Sequence, residues 1–298
     1  LDPKKRQEAN KALANALNGK PVESRVTLKY QPEPTVDVKS DEELDKVYRA
    51  VLNELTLKPE HRNNLLKRGL TNEVIDKCLY RSVPERWVSV FAKLKKRGIS
   101  FEGVPGFFIP YFNPKGQIAG MQIRFDKGDK RYLWFSSAGF QGGCSARNIA
   151  SYGIPGVMPE CKKGQIVYVT EGALKAHIAC ELSESHEPYI ALAGVNCFNQ
   201  WEMTCEYLKS QGITRVVDAF DSDRESNEHV KNALAKLYEI ASRYGITMTR
   251  FNWGTTYKGV DDYYLAFKQG KVFRPFVPNT TNETNSIKFV PFVPVKTA

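Results

Sequence analysis

Two short apolar segments, each running into carboxylates and then into a helix-like segment, most constrain how this chain can fold. The first, VYVTEGALK, occupies residues 167–175, and the second, VVDAFDSD, occupies residues 216–223. Such runs are typical of buried parallel strands, whose carboxyl ends meet at one edge of a sheet. Glu171, Asp221 and Asp223 are therefore predicted to converge. Converging carboxylates repel one another unless a hard cation such as Mg²⁺ lies between them, which indicates a metal-dependent phosphoryl-transfer site.

The pattern around these segments alternates strand with helix, which favours a parallel sheet with right-handed crossovers. The predicted strands are 165–170, 189–193, 214–220 and 246–252, and the predicted helices are 172–184, 199–211, 225–244 and 261–268. Asp218 lies inside the third strand, and we assign it at most a supporting role.

The first half of the chain reads differently, as helices followed by an antiparallel meander. A helix is predicted over 1–19, an extended linker over 31–40, and a new helix that begins at the N-cap Ser40. Residues 63–75 form a helix-turn-helix pattern that we interpret as a packing unit. Strands follow at 107–112, 117–125 and 131–135.

These patterns together predict a mixed α+β and α/β fold in four parts. They are an N-terminal helix and linker (1–39), a basic helical and antiparallel subdomain (40–159), a parallel-sheet α/β domain (160–274) and a C-terminal tail (275–298).

The net charge of +10 lies in the first half of the chain. Residues 1–150 hold 27 Lys and Arg against 17 Asp and Glu, whereas the remaining residues hold 16 against 16. A basic half beside an acidic one suits an enzyme that holds a polyanion while it reacts at a phosphate. A lysine-rich surface that only improves solubility explains the charge equally simply.

A third acidic group, Asp261 and Asp262, follows Lys258 at the end of the last predicted strand. It falls near the same sheet edge as the first two. Lys175 lies one helical turn beyond Glu171, where it can pair with Glu171 or with a phosphate. Each of these motifs alone is also an ordinary capped helix start.

The order and spacing of the three acidic groups resemble the TOPRIM domain of bacterial-type primases, topoisomerases and certain nucleases. The resemblance covers about residues 160–270. It implies that Glu171 acts as general acid or base, and that Asp221, Asp223, Asp261 and Asp262 bind Mg²⁺ or Mn²⁺. The primase motif has an acid four residues after the glutamate, where this chain has Lys175.

A second segment resembles the basic subdomain that precedes TOPRIM in bacterial-type DNA primases, particularly those of phages and mobile elements. It comprises FIPYFNPKGQIAGMQIR (108–124) and RYLWFSS (131–137). The resemblance implies that Arg124 and Arg131, with Lys130 beside them, contact template or nucleotide phosphates. Lys175, Lys258 and the basic run Lys93, Lys95, Lys96 and Arg97 are predicted to offset further charge.

The leading hypothesis is therefore a primase catalytic core that joins ribonucleoside triphosphates on a single-stranded DNA template. A replicative helicase, in the same chain or a separate one, is the partner that the resemblance implies. Two alternatives remain open: a TOPRIM nuclease that activates water with the same acids, and a catalytically silent nucleic-acid-binding module of a replication protein.

The rest of the composition predicts a cytoplasmic protein with no membrane partner. The six cysteines show no zinc-binding spacing and are predicted to be free thiols. No apolar run approaches the ~20 residues of a membrane span.

Overall fold

Two four-stranded sheets, one antiparallel and one parallel, organise the chain. A computed structural model describes residues 39–86, 104–128, 131–155, 164–222 and 227–272. The strands are β1 (Arg81–Ser82), β2 (Gly106–Phe112), β3 (Ile118–Phe125), β4 (Tyr132–Trp134), β5 (Ile166–Glu171), β6 (Tyr189–Leu192), β7 (Arg215–Asp218) and β8 (Thr247–Arg250). The helices are α1 (Asp41–Asn53), α2 (Pro59–Lys67), α3 (Asn72–Lys77), α4 (Ala173–Leu182), α5 (Phe198–Ser210), α6 (Glu228–Arg243) and α7 (Val260–Lys268).

The antiparallel sheet has the strand order β1-β2-β3-β4 and is covered on one face by α1. The side chains of Ser40 and Glu43 form a capping box that starts α1. Leu44 and Tyr48 of α1 then pack on Met121 and other apolar side chains of one sheet face. Because side chains alternate along a strand, the opposite face of this sheet carries a different set of apolar side chains. These side chains pack against the parallel-sheet domain.

The parallel sheet has the strand order β6-β5-β7-β8 and is covered on both faces, as its apolar strands predict. Helices α5 and α6 pack on one face, where Trp201 and Leu237 are fully buried. Helices α4 and α7 pack on the other. The carboxyl ends of β5 and β7 therefore lie side by side.

Helix α4 joins the two sheets. It contacts β5 and β6 on one side and β2 and α7 on the others. The Tyr80 hydroxyl lies 2.7 Å from His177 Nδ1 of α4, and both side chains are fully buried. Ser151 makes a second connection, since its backbone pairs with Ala191 of β6 while its hydroxyl accepts the N–H of Phe112 at 3.2 Å.

The predicted fold class is confirmed: helices precede an antiparallel sheet, which precedes a parallel α/β sheet. The helix-turn-helix pattern corresponds to α2 and α3, which pack into the core through Leu65 and Ile75. The predicted helix over 1–19 and the tail at 275–298 lie outside the described residues, and the domain boundaries stay a prediction. In the described part of the chain, no helix is long and apolar enough to cross a membrane.

The buried histidine gives a pH-dependent prediction. Burial lowers the pKa of His177 to about 3, whereas an unfolded chain binds this proton near pH 6.5. The unfolded state thus holds one more proton between these values, so stability is lost as the pH falls through that window. We expect His177→Gln to reduce the slope of unfolding free energy between about pH 6 and pH 4, by up to about 1.4 kcal/mol per pH unit.

Urea denaturation at several pH values measures this slope. His229→Gln, which changes an exposed histidine of α6, serves as the matched control and should keep the wild-type slope. An unchanged slope in the His177 variant would show that the buried imidazole is not the titrating group.

Candidate active site

Glu171 is the last residue of β5 and is half-buried at the carboxyl edge of the parallel sheet. The chain turns directly into α4 through Gly172, whose φ of 82° is a conformation that glycine adopts without strain. The Gly172 N–H donates to the carbonyl of Leu192 at 2.6 Å, which fixes the turn against β6. The glutamate is thereby held beside a helix N-terminus.

Asp221 follows β7, is buried, and is paired with two lysines. The ammonium of Lys175, in the first turn of α4, donates to Asp221 Oδ1. Lys258 Nζ lies 3.9 Å from Asp221 Oδ2. The sequence predicts that Lys175 pairs with Glu171 or a phosphate; the structure instead directs it across to the neighbouring strand end, because β7 lies next to β5.

Asp261 lies in the first turn of α7 with only 3% of its surface exposed. Its Oδ2 accepts a hydrogen bond of 2.5 Å from Arg68 Nη2, at the end of α2. Burial lowers the pKa of Arg68, but the Asp261 carboxylate, together with Tyr132 and Asp262, acts the other way, and the pKa is raised above its usual value. The Arg68 guanidinium therefore stays charged beside this carboxylate.

Asp262 completes an acidic cluster, defined here as Asp221, Asp261 and Asp262. Burial raises the pKa of Asp262, and the neighbouring carboxylates of Asp261 and Asp221 raise it further. Arg68 and Lys175 act in the opposite direction. The three carboxylates therefore share one electrostatic environment, as the sequence predicts, but side-chain cations lie among them.

One oxygen of this cluster is suited to a hard cation. Asp261 Oδ1 is buried and has no hydrogen-bond partner among the described residues. It lies against Gly259, where an added Cβ would come within 2.3 Å of it, so the absence of a side chain there makes room for the carboxylate. The donor chemistry fits Mg²⁺ or Mn²⁺, which prefer carboxylate oxygens.

The described residues nevertheless do not form a complete metal-binding site. They contain no group of three or more His, Cys, Asp and Glu side chains placed to hold an ion. Asp223, the fourth predicted ligand, lies outside the described residues. Metal binding by these aspartates stays a prediction.

Arg124 lies on the face of the antiparallel sheet that packs toward α4. Its guanidinium stands over the Phe107 ring at 5.5 Å, and its Nε is buried without a hydrogen-bond partner among the described residues. Tyr132 of β4 pairs with Arg124 in register, is 46% exposed, and lies close enough to Arg68 to contribute to that residue's raised pKa. Arg131 is exposed just before β4.

The remaining predicted basic residues, Lys93, Lys95, Lys96, Arg97 and Lys130, lie outside the described residues. Their contacts with nucleic acid stay a prediction.

Sequence reasoning missed Arg68 and Tyr111. Arg68 is separated from Asp261 by 193 positions, and a cation at the end of a short helix carries no signal of such a partner. The Tyr111 hydroxyl donates to Gln122 Oε1 at 2.9 Å and accepts the N–H of Ala173 at 3.4 Å, which anchors the start of α4. Asp218 is buried and accepts hydrogen bonds from the Tyr238 hydroxyl and the Phe220 N–H, and its supporting role stays a prediction.

The parallel-sheet half matches one known family. The model of the family described as "Domain of unknown function (DUF3854)" matches residues 160–271. No curated protein is similar in sequence to this chain.

Solved structures with the same fold are primase catalytic regions. The Escherichia coli primase catalytic core is 16% identical, with a TM-score of 0.54 over 76% of this chain and 77% of that one. A DnaG primase catalytic domain bound to single-stranded DNA gives the same four values. The zinc-binding and RNA polymerase domains of Aquifex aeolicus primase are 16% identical, with a TM-score of 0.52 over 79% of this chain and 60% of that one. This chain thus shares the fold of primase catalytic cores and spans less than two thirds of the Aquifex chain.

The pair between half-buried Arg68 and buried Asp261 gives a second prediction. Arg68→Met leaves a buried carboxylate without its partner, so we expect a loss of about 3–5 kcal/mol in unfolding free energy. Asp261→Asn in the same chain removes the unpaired charge and should restore much of that loss. Urea denaturation of the wild type, both single variants and the double variant measures the coupling. Additive losses would contradict a direct interaction.

Proposed function

We propose that this chain is the catalytic core of a DNA primase, which joins ribonucleotides on a single-stranded DNA template. The observation that supports the proposal is that Glu171 ends β5 while Asp221 follows the adjacent parallel strand β7, so both lie at the same edge of the parallel sheet. The fold shared with primase catalytic cores supports it. Ligands in open α/β sheets bind at this edge, where a triphosphate would meet both acids and lysines.

Glu171 is proposed to accept the proton of the primer 3′-hydroxyl. Its position at a glycine turn leaves the carboxylate half-buried but reachable, as a general base must be. The loss of that proton makes the oxygen a better nucleophile toward the α-phosphate of the incoming nucleotide. Lys258, whose side chain is 66% exposed, can neutralise phosphate charge at the same edge.

A divalent ion is part of this proposal. Asp221, Asp223, Asp261 and Asp262 would hold Mg²⁺ or Mn²⁺, which orients a triphosphate and neutralises charge on the transferring phosphorus when it is bound. Asp261 Oδ1, a buried oxygen that has no hydrogen-bond partner among the described residues, is proposed as one of the ligand atoms.

Basic side chains of the antiparallel sheet are proposed to hold the template. Arg131 is exposed, and Arg124 lies in register with the exposed ring of Tyr132. Lys130 and the basic run of Lys93, Lys95, Lys96 and Arg97 extend the proposed contact. The proposal also assigns the parallel-sheet domain to the TOPRIM fold. It places the protein in the cytoplasm, in the replication of a mobile element or phage, with a replicative helicase as partner.

One observation favours a second candidate, a nucleic-acid-binding module without catalysis. Asp221 is paired with Lys175 and near Lys258, and Asp261 is paired with Arg68, so two of the predicted metal ligands are engaged by the protein's own cations. An activity measurement therefore has to separate the two functions.

Primer synthesis by the full chain provides that measurement. With single-stranded DNA, labelled ribonucleoside triphosphates and Mg²⁺ or Mn²⁺, we expect short RNA products on a denaturing gel. Glu171→Gln should reduce the rate by about 10²–10⁴-fold, the usual contribution of a general base. Glu206→Gln, an exposed change on α5, should leave the rate unchanged.

Other outcomes identify the alternatives. Glu171-dependent cleavage of DNA without nucleotides would identify a nuclease, and DNA binding without either reaction would identify a binding module. If primer synthesis survives the joint change Asp221→Ala and Asp223→Ala, the assignment of these aspartates to the active site is wrong.

The proposed template contact is tested by salt dependence. Each phosphate contact on single-stranded DNA contributes about 0.7 to the slope of log affinity against log salt. Arg131→Gln should therefore flatten that slope by about 0.7 in a fluorescence-anisotropy titration. Arg243→Gln, at the end of α6, is the matched control. Equal slopes for the two variants would remove Arg131 from the interface.

A further inference from the structure

The positively charged side chain of Lys175 lies among the carboxylates of the acidic cluster. Its ammonium donates to Asp221 Oδ1, and its Cε lies 3.5 Å from the point where a Cβ on Gly259 would stand. It also lies close enough to Asp262 to oppose the rise in that residue's pKa. One lysine side chain thus reaches both the end of β7 and the start of α7.

This contact is shielded from water. The side chain of Lys175 is 26% exposed and that of Asp221 only 9%. An ion pair in such surroundings is screened far less than a pair on the surface. The electrostatic attraction between Lys175 and Asp221 is therefore only weakly screened by solvent.

Side-chain cations offset the charge of the cluster. Among the described residues, the carboxylates of Asp221, Asp261 and Asp262 face Lys175, Lys258 and Arg68. A divalent ion that reaches Asp221 has to displace the Lys175 ammonium or accept its repulsion. Asp261 Oδ1 remains without a hydrogen-bond partner among the described residues, so the cluster keeps one oxygen that a cation would satisfy.

We propose that Lys175 is a resident counter-ion that competes with divalent metal for Asp221. The protein without nucleotide then binds Mg²⁺ or Mn²⁺ weakly, and the lysine limits that affinity. This inference rests on the proposed function, because primer synthesis is the reaction that requires the ion. Lys175 is a positioning residue in this account, since it acts on the metal through Asp221.

Mn²⁺ binding to the full chain, without nucleotide or DNA, tests the proposal. The electron paramagnetic resonance signal of free aqueous Mn²⁺ falls as the ion binds, which gives the dissociation constant directly. Lys175→Met keeps the length of the apolar stem and removes the charge. We expect it to tighten Mn²⁺ binding at least about ten-fold, because a unit charge within a few ångströms of the ion is removed.

Matched variants locate the effect. Lys231→Met removes an exposed lysine of α6 that pairs with Glu228, and it should leave the dissociation constant unchanged. Adding Asp221→Asn to Lys175→Met should abolish the gain. Lys175→Gln, a polar replacement, should reproduce the tighter binding and guards against a folding defect specific to methionine; circular dichroism checks that each variant is folded.

The proposal is overturned if folded Lys175→Met and Lys175→Gln bind Mn²⁺ no more tightly than the wild type, or if the gain persists with Asp221→Asn. Failure of the proposed function looks different. In that case the Mn²⁺ affinities shift as expected, but no primer is made by the wild type.

Discussion

The burial of helix α4 is the constraint on which the rest of the structure depends. Eight of its ten residues are buried, because the parallel sheet covers one side and the antiparallel sheet and α7 cover the others. Glu171 lies two residues before the start of this helix and Lys175 lies in its first turn, so the packing of the helix sets the position of both. The Tyr111 hydroxyl at its N-terminus and the Tyr80–His177 contact further along hold it from the antiparallel side.

Charge pairing is the second determinant, and it distinguishes this site from a simple ring of acids. Carboxylates at the ends of adjacent strands would repel one another in a poorly solvated pocket. Here the guanidinium of Arg68 pairs with Asp261, while the ammonium groups of Lys175 and Lys258 pair with Asp221. The acidic cluster is therefore neutralised in part by side-chain cations that the fold itself brings to it.

The periodicity of apolar residues predicted the fold. It could not predict which side chains far apart in the sequence become partners. The apolar runs ending at Glu171 and before Asp221 placed both residues at one sheet edge, because that edge follows from strand direction alone. The partner of Lys175 depended on which strand lies beside β5, and the sequence does not state strand order. Arg68 was missed for a related reason: its partner is set by where the end of α2 lies relative to the start of α7, which local patterns do not encode.

Arg68 precedes the residues of the family match and Asp261 lies within them. Their contact therefore bears on how far the chain can be shortened. The family match begins at residue 160, yet α4 is covered by residues that come before it, among them Tyr80 and Tyr111. A fragment limited to the matched segment would expose one side of that helix to water and leave Asp261 without its guanidinium. The contacts that cover α4 and pair Asp261 therefore extend beyond the residues of the family match.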